Sequence, residues 1–336
     1  MGRQENVEIF EDTFALCKQN STLRNAIEQS TKKQKLYPEG IQCAEKQAII
    51  YARPAKIIVS SKRTLEAAMP YAYAGKKVCI HNFASAANPG GGVVKGSSAQ
   101  EEAICRCSTL YPNLKEEILW KQFYAPHRRQ QNPLHNDDCI YTPGVIAFKS
   151  DTTYPKLLPE DKWYSVNVLT CAAPNLRERP SNSMNPNDGN TTVRISQKEL
   201  QALHEKRMRK VLDIAWKNGN EVVILGAFGC GAFSNPPLAV AQAMKAVVQE
   251  YRMKFETIEF AVYCSPRDDS NFRVFQNILG SLWLPSDGTP CNLPKGQKAS
   301  ERAKKNAEDA GVELGKGKTY RVPHQREVWC KKKNEE

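Results

Sequence analysis

The sequence predicts an α/β fold, in which a largely parallel sheet is flanked by helices and preceded by a helical N-terminal extension. Residues 57–83 give a strand, a helix and a second strand in succession, a pattern that favours parallel neighbours in one sheet. Residues 221–251 repeat the order of a buried strand, a glycine loop and a helix. Residues 1–50 are polar and mostly helical in pattern.

The individual elements are bounded by capping and turn signals. Tyr37-Pro38-Glu39-Gly40 breaks the helical pattern of the extension, and Ser196 to Glu199 fits a capping box that opens a long helix. Asn, Ser, Pro and Gly mark 174–190 as a long loop, either a lid or a surface insertion. We predict helices at 22–35, 64–73, 98–111, 197–217, 238–251 and 271–279, strands at 57–59, 77–83, 139–141, 145–148, 163–170, 221–225 and 257–264, and a basic loop at 123–138.

The chain divides by composition into one domain and a tail. Residues 1–285 form a single catalytic domain, with 1–55 as the extension and 56–285 as the α/β core. Residues 286–336 form a basic tail, disordered or docked on the domain, with 12 Lys or Arg and 7 Asp or Glu from position 295 onward. Contact between this tail and nucleic acid is one open possibility.

Charge and cysteine usage limit the classes of function. A formal net charge of +12 indicates acidic partners: nucleic acid, an anionic polymer, or none beyond a basic surface. The eleven cysteines are scattered and no secretion signal precedes them, so we expect reduced thiols in an intracellular protein, cytoplasmic or nuclear. Neither a membrane span nor zinc-ligand spacing occurs. We therefore predict a monomer without membrane contact, bound metal or cofactor.

The most informative stretch joins a strand to a glycine loop and a helix. Asn88-Pro89-Gly90 is a turn, and Gly90, Gly91 and Gly92 let backbone N–H groups approach an anion closely. Ser98 and Glu101 fit a capping box, so a helix is predicted to begin near Ser98 and to add its positive end to the anion site. Phosphate or diphosphate is the expected ligand.

Two adjacent carboxylates follow this loop. Glu101 either completes the capping box, contacts a ligand, or does both, whereas Glu102 has no such structural duty. A carboxylic acid beside a diphosphate loop suits protonation of a glycosidic oxygen. Because a helix N-terminus favours the ionised carboxylate, that role requires compensating burial or nearby phosphate charge.

These residues resemble a known enzyme family. Gly90-Gly91-Gly92, seven residues and Gln100-Glu101-Glu102 are similar to the GGG-x(6–8)-QEE signature of poly(ADP-ribose) glycohydrolases, particularly the microbial type built on a macrodomain. A second loop, Gly229-Cys230-Gly231-Ala232-Phe233, resembles the corresponding loop of these enzymes. The resemblance implies a macrodomain-like fold in which both loops lie over one cleft.

The resemblance also implies roles for single residues. Glu102 is then the acid/base, and Glu101 and Asn88 hold ribose hydroxyls, with Asn82 or Ser85 as alternatives to Asn88. Phe233 packs against the distal ribose. The implied binding residues are Asn88, Gly90, Gly91, Gly92, Val93, Gln100, Gly229, Cys230, Gly231, Ala232 and Phe233.

The predicted function is hydrolysis of the ribose–ribose O-glycosidic bond of poly(ADP-ribose), with ADP-ribose as product. The partners are then the polymer or ADP-ribosylated proteins. Three alternatives stay open: a non-hydrolytic ADP-ribose-binding macrodomain, a mono-ADP-ribosyl hydrolase, and a nucleic-acid-binding protein that uses the basic tail.

Overall fold

A computed structural model describes residues 2–41, 50–265 and 268–282 in full, and the backbone of 318–321 and 327–330. The chain divides into the units Met1–Trp283 and Leu284–Glu336. In the second unit, β8 (Lys318–Arg321) and β9 (Glu327–Cys330) pair as an antiparallel hairpin. Most of the predicted tail, 286–336, lies outside the described residues, so the predicted domain division stays a prediction.

A seven-stranded mixed sheet forms the centre of the first unit. Five adjacent strands run parallel to one another, the sixth pairs antiparallel with them, and the strand at that edge pairs antiparallel with the sixth. The α/β prediction is therefore confirmed. Across the sheet the strands are β1 (Lys35–Tyr37), β4 (Cys139–Ala147), β5 (Tyr164–Ala172), β3 (Val78–Ala84), β6 (Val222–Leu225), β7 (Thr257–Ala261) and β2 (Lys56–Ser60).

Helices cover both faces of the sheet and form the N-terminal extension. They are α1 (Arg3–Gln19), α2 (Ser21–Lys33), α3 (Thr64–Tyr73), α4 (Gln100–Cys107), α5 (Leu110–Leu114), α6 (Glu117–Leu119), α7 (Ala125–Gln130), α8 (Gln197–Lys217), α9 (Pro237–Glu250) and α10 (Ser270–Leu279). A π-helical segment (Trp120–Tyr124) joins α6 to α7, and short 3₁₀ turns occur at Val93–Lys95, Glu160–Lys162 and Gly280–Leu282.

Two apolar clusters lie on opposite faces of the sheet. Successive side chains of a strand point to opposite faces, and β3 shows this directly. Its Cys79 packs among α8, α9 and α10, whereas Val78 and Ile80 pack among α1, α3, α4 and α5. Because both faces are covered, the central strands read as continuous apolar runs. The carboxyl ends of β3 and β6 then meet at one edge.

The structure corrects several sequence predictions. Residues 123–138 were predicted to be a basic loop, but their first part, to Gln130, is helical. Pro126 does not prevent this helix, because it stands in the first turn of α7, where proline is tolerated. The helix predicted at 98–111 begins at Gln100 and ends at Cys107, where Ser108 pairs with Ala147. The short edge strand β1 was not predicted.

No helix of the described residues is long and apolar enough to cross a membrane.

Candidate active site

Gln100 fastens the start of α4 to the end of β3. Its side-chain oxygen accepts a hydrogen bond from the Phe83 amide (2.8 Å), and its amide group donates to the carbonyl of His81 (2.7 Å) and the hydroxyl of Thr64 (3.0 Å). These three bonds use most of the capacity of the amide. Gln100 therefore fixes the orientation of the helix that carries the two carboxylates.

Glu101 points back to the strand and does not cap its helix. Ala99 occupies the N-cap position and Ser98 is exposed, so the capping box predicted from Ser98 to Glu101 does not form. The Glu101 carboxylate, 2% exposed, accepts from the Ser85 amide (2.8 Å) and the Asn82 side chain (3.3 Å). Burial, followed by the charge of Glu102, raises the pKa of Glu101 well above its usual range.

Glu102 has one satisfied and one free oxygen. Its Oε1 accepts from the Gly92 amide (2.9 Å), whereas Oε2 is buried and has no partner among the described residues. The residue is 7% exposed, and burial raises its pKa, while the Gly92 hydrogen bond and the charge of Arg106 act in the opposite direction. The effect of burial on the pKa of Glu102 is therefore larger than the opposing effect of the helix N-terminus. A role as an acid requires this balance.

The glycine turn fits closely around these carboxylates. Gly91 has a φ of +59°, and a Cβ placed there lies 2.5 Å from Oε1 of Glu102 and 3.1 Å from Oε2 of Glu101. Gly90, with a φ of +68°, leaves similarly little room above Tyr111. Glycine is therefore required at both positions by backbone conformation and by space.

The second loop follows β6 and is held by a buried amide that sequence reasoning missed. Asn235 donates to the carbonyls of Pro174 (2.7 Å) and Gly229 (3.0 Å), and its oxygen contacts Nε2 of His204 (2.9 Å). His204, on α8, is fully buried. Burial lowers its pKa to about 4, so it is neutral at physiological pH.

Both loops line one cleft of about 940 Å³. Of the predicted site residues, it takes in Gly91, Gln100, Glu101, Glu102, Gly229, Gly231, Ala232 and Phe233. Asn88, Gly90, Gly92, Val93 and Cys230 are not part of its lining. Val93 belongs to an apolar core cluster, and Gly92 reaches the site through its bond to Glu102. The two distant glycine loops thus meet in space.

Asn185 connects the loop 174–190 to residues 85–88, which lead into the first glycine loop. Its side-chain oxygen accepts from Ser85 (2.7 Å) and from Asn88 (2.7 Å). Asn88 also donates to the Pro186 carbonyl (2.9 Å) and accepts from Arg128 (2.7 Å). Asn88 thereby holds the loop in place. Ser85 and Asn82 were the predicted alternatives to Asn88 as the residue that holds a ribose hydroxyl. Ser85 lines the cleft, whereas Asn82 is fully buried and has an unpartnered side-chain oxygen.

Arg128 and Asn185 are site residues that the sequence did not single out. A basic residue in α7 and an asparagine in a polar loop carry no local signal, since their partners lie 40 and 97 or more positions away. Metal ligands do not cluster in the described part of the chain: no group of three or more His, Cys, Asp or Glu is placed to hold an ion. The Cys230 thiol has a pKa raised by burial, which makes it a poor nucleophile.

A buried carboxyl group with one unpartnered oxygen, set in a cleft that two glycine loops line at the edge of an α/β sheet, is the arrangement expected of a glycoside hydrolase. Residues 3–150 match the family model described as the catalytic domain of microbial-type poly(ADP-ribose) glycohydrolase (PARG), and 82% of the chain matches 99% of the Thermomonospora curvata PARG crystal structure at 30% identity and a TM-score of 0.66. The chain belongs to the microbial-type poly(ADP-ribose) glycohydrolase family. The predicted family is thereby confirmed.

Further solved structures give the same result. The Thermomonospora curvata enzyme bound to the inhibitor ADP-HPD matches with 30% identity, the same coverage and a TM-score of 0.66. PARG from Deinococcus radiodurans in complex with ADP-ribose matches 77% of this chain and 98% of its own at 27% identity, with a TM-score of 0.62. No curated protein matches the chain.

Proposed function

We propose that the chain hydrolyses the ribose–ribose O-glycosidic bond of poly(ADP-ribose) and releases ADP-ribose, with Glu102 as the acid/base. The observation that carries this proposal is the buried, unpartnered Oε2 of Glu102, a residue 7% exposed in a cleft that both glycine loops line. A buried carboxyl oxygen without a partner destabilises the fold unless a ligand supplies the partner. Its raised pKa favours the protonated form that an acid catalyst needs.

The second loop supplies the donors for diphosphate. The backbone N–H groups of Gly231, Ala232 and Phe233 donate to no described group of the protein, and all three residues line the cleft. In the first loop, by contrast, Gly91 donates to Asn88 (2.9 Å) and Gly92 donates to Glu102. We therefore assign anion binding mainly to 231–233, and assign the first loop to positioning Glu102.

The reaction then proceeds in two proton transfers. Glu102 donates its proton to the departing ribose oxygen as positive charge develops at the anomeric carbon, and the bound diphosphate stabilises that charge. Glu102 next accepts a proton from the attacking water, which regenerates the acid. Glu101, fixed by Ser85 and Asn82, lines the same cleft and is assigned to a ribose hydroxyl, with Phe233 against the ribose.

Two related functions would use the same cleft. A non-hydrolytic reader needs the donors of 231–233 but gives no reason to bury Glu102 unpartnered. A mono-ADP-ribosyl hydrolase needs the same acid with a different leaving group. Incubation with poly(ADP-ribose), followed by chromatography of the products, separates the three. Free ADP-ribose released from polymer supports the proposal, whereas intact polymer, or release from mono-ADP-ribosylated protein alone, contradicts it.

The burial of Glu102 predicts a pH-dependent stability difference. Since its pKa is raised in the folded state, wild-type protein loses stability as pH rises from the ordinary value of 4.5 through the raised pKa. Glu102→Gln keeps an oxygen for the Gly92 amide and removes this loss. The variant should therefore melt at a higher temperature than wild type at neutral pH and at the same temperature below about pH 4.

Melting curves at several pH values check this expectation, with Glu11→Gln as the control because Glu11 is exposed on α1. A Glu102→Gln difference that is independent of pH, or that grows toward low pH, would show that Glu102 is not destabilised as a buried anion.

A further inference from the structure

The active-site cleft extends beyond the two glycine loops to the first turn of α1. Arg3 and Asn6 belong to its lining together with Glu101 and Glu102. These two residues come from the N-terminal extension, in which the sequence shows no chemistry. Neither has a part in the reaction described so far.

Helix α1 is held by specific contacts against residues 96–106, the segment that carries Glu101 and Glu102. The Asn6 side chain donates to the Gly96 carbonyl (3.0 Å), and Gly96, with a φ of +76°, lies so close to the Arg3 carbonyl that no side chain fits there. Further along the helix, Thr13 donates to the carbonyl of Arg106 (2.6 Å), near the end of α4. The position of Arg3 at the cleft is therefore set by the fold and not by a mobile terminus.

Two of the polar groups that α1 brings to the cleft, the Asn6 side-chain oxygen and the Arg3 guanidinium, have no partner among the described residues. Asn6 is 2% exposed, yet its side-chain oxygen has no partner among the described residues. The exposed guanidinium of Arg3 makes no ion pair with any described acidic group. A buried acceptor beside a free cation is suited to a ligand that carries both a hydroxyl or amino group and a phosphate.

A chain of contacts connects this turn to the acid. Oε1 of Glu102 accepts from the Gly92 amide, and the Gly92 carbonyl accepts from the Ser97 amide (3.1 Å). Ser97 follows Gly96, whose carbonyl accepts the hydrogen bond from the Asn6 side chain. The donors of 231–233, which take the diphosphate of the released unit, belong to the other loop, after β6. Arg3 and Asn6 therefore adjoin the part of the cleft wall formed by the first glycine loop and Glu102, whereas the donors assigned to diphosphate belong to the second loop.

We propose that the first turn of α1 is the binding site for the leaving group, the neighbouring ADP-ribose unit of the polymer. Arg3 binds a phosphate of that unit, and the Asn6 oxygen accepts a hydrogen bond from its hydroxyl or amino groups. This inference rests on the proposed function, because it specifies the part of the substrate on the far side of the scissile bond. It makes the enzyme prefer a polymer over an ADP-ribosyl group attached to an uncharged alcohol.

The test compares Arg3→Ala with Lys33→Ala, which removes an equally exposed cation at the end of α2, outside the cleft. Arg3→Ala should raise the KM for poly(ADP-ribose) about three- to tenfold and lower the slope of log(kcat/KM) against log[salt] by about 0.7, the value for one lost contact with a flexible polyanion. Arg3→Lys should recover part of the loss. Lys33→Ala should match wild type.

A second substrate and a binding measurement separate the outcomes. With an ADP-ribosyl glycoside of an uncharged alcohol, and in calorimetric binding of ADP-ribose, Arg3→Ala should equal wild type. An Arg3→Ala variant that matches Lys33→Ala on polymer, or that loses activity equally on both substrates, overturns the leaving-group site while the proposed function stands. Wild-type protein that leaves the polymer intact overturns both. Melting temperatures of all variants confirm that exposed Arg3 does not contribute to folding.

Discussion

Replacing Glu102 by Gln is expected to lower kcat for polymer hydrolysis by about a hundredfold or more, the usual range for loss of a general acid/base. The amide keeps one oxygen for the Gly92 amide, 2.9 Å away in wild type, so the glycine turn and the cleft should keep their shape. The N–H protons of the glutamine side chain are not acidic enough to be transferred to the departing ribose oxygen. The measurement is the initial rate of ADP-ribose release from poly(ADP-ribose).

Binding separates a chemical defect from a structural one. Glu102→Gln should bind ADP-ribose with wild-type affinity in calorimetry, because the donors assigned to diphosphate belong to 231–233. The exposed Glu11→Gln variant should keep both rate and affinity. A Glu102→Gln variant with an unchanged rate would remove Glu102 from the mechanism, and one that no longer binds ADP-ribose would make it a binding residue.

Gly91→Ala is expected to cause the second-largest loss. The new methyl group would lie 2.5 Å from Oε1 of Glu102, and alanine at a φ of +59° adds backbone strain of about 1–3 kcal/mol. The Glu102 carboxyl can avoid the methyl group only by moving, and a misplacement of about 1 Å costs about a hundredfold in rate. Thermal unfolding and initial rates measure the two effects.

Gly231→Ala provides the matched control for folding. A Cβ at Gly231 meets nothing within 4 Å, and its φ is not positive. We therefore expect its melting temperature to stay at the wild-type value, while any loss of ADP-ribose affinity reports on the anion cradle. If Gly91→Ala were as stable and as active as wild type, the close fit of Gly91 against Glu101 and Glu102 would be unimportant for both stability and activity.

The convergence of the two loops was implied by the resemblance to poly(ADP-ribose) glycohydrolases, and it agrees with the apolar strand run that precedes each loop. Parallel strands bring their carboxyl ends to the same sheet edge, so Gly91 and Gly231 had to lie near one another if β3 and β6 were neighbours. The glycine spacing and the carboxylate pair then indicated the chemistry. These inferences depend on local patterns of a few residues.

Capping shows where local pattern fails. The S-x-x-E pattern occurs at Ser98 and at Ser196, and only the second forms a capping box, with Glu199 bonding back to the Ser196 amide (3.1 Å). Glu101 instead turns toward the Ser85 amide at the end of β3, a partner that exists only once helix and strand are packed. Tertiary hydrogen bonding thus overrides the local preference.

The residues that shape the site from a distance had no sequence signal for the same reason. Arg128, Asn185 and Asn235 each act on backbone or side-chain groups far along the chain. Arg207 is fully buried and joins Asp137 (2.9 Å) to the carbonyl of Ala172 (3.0 Å) at the end of β5, yet it reads as one more charge on a polar helix. Such contacts become visible only in the folded chain.

The attachment of the loop 174–190 has a consequence for how enzymes of this design can diverge. The side-chain oxygen of Asn185 accepts hydrogen bonds from both Ser85 and Asn88, and the adjacent Pro186 carbonyl accepts a second one from Asn88. The Ser183 carbonyl accepts a further hydrogen bond from Lys95 (2.6 Å), so loop residues outside 183–186 can change in charge without removing a donor or acceptor of this attachment. Changes at such residues would alter the wall of the cleft, to which Arg177 and Asn182 belong, while the hydrogen bonds beside Glu102 stay in place.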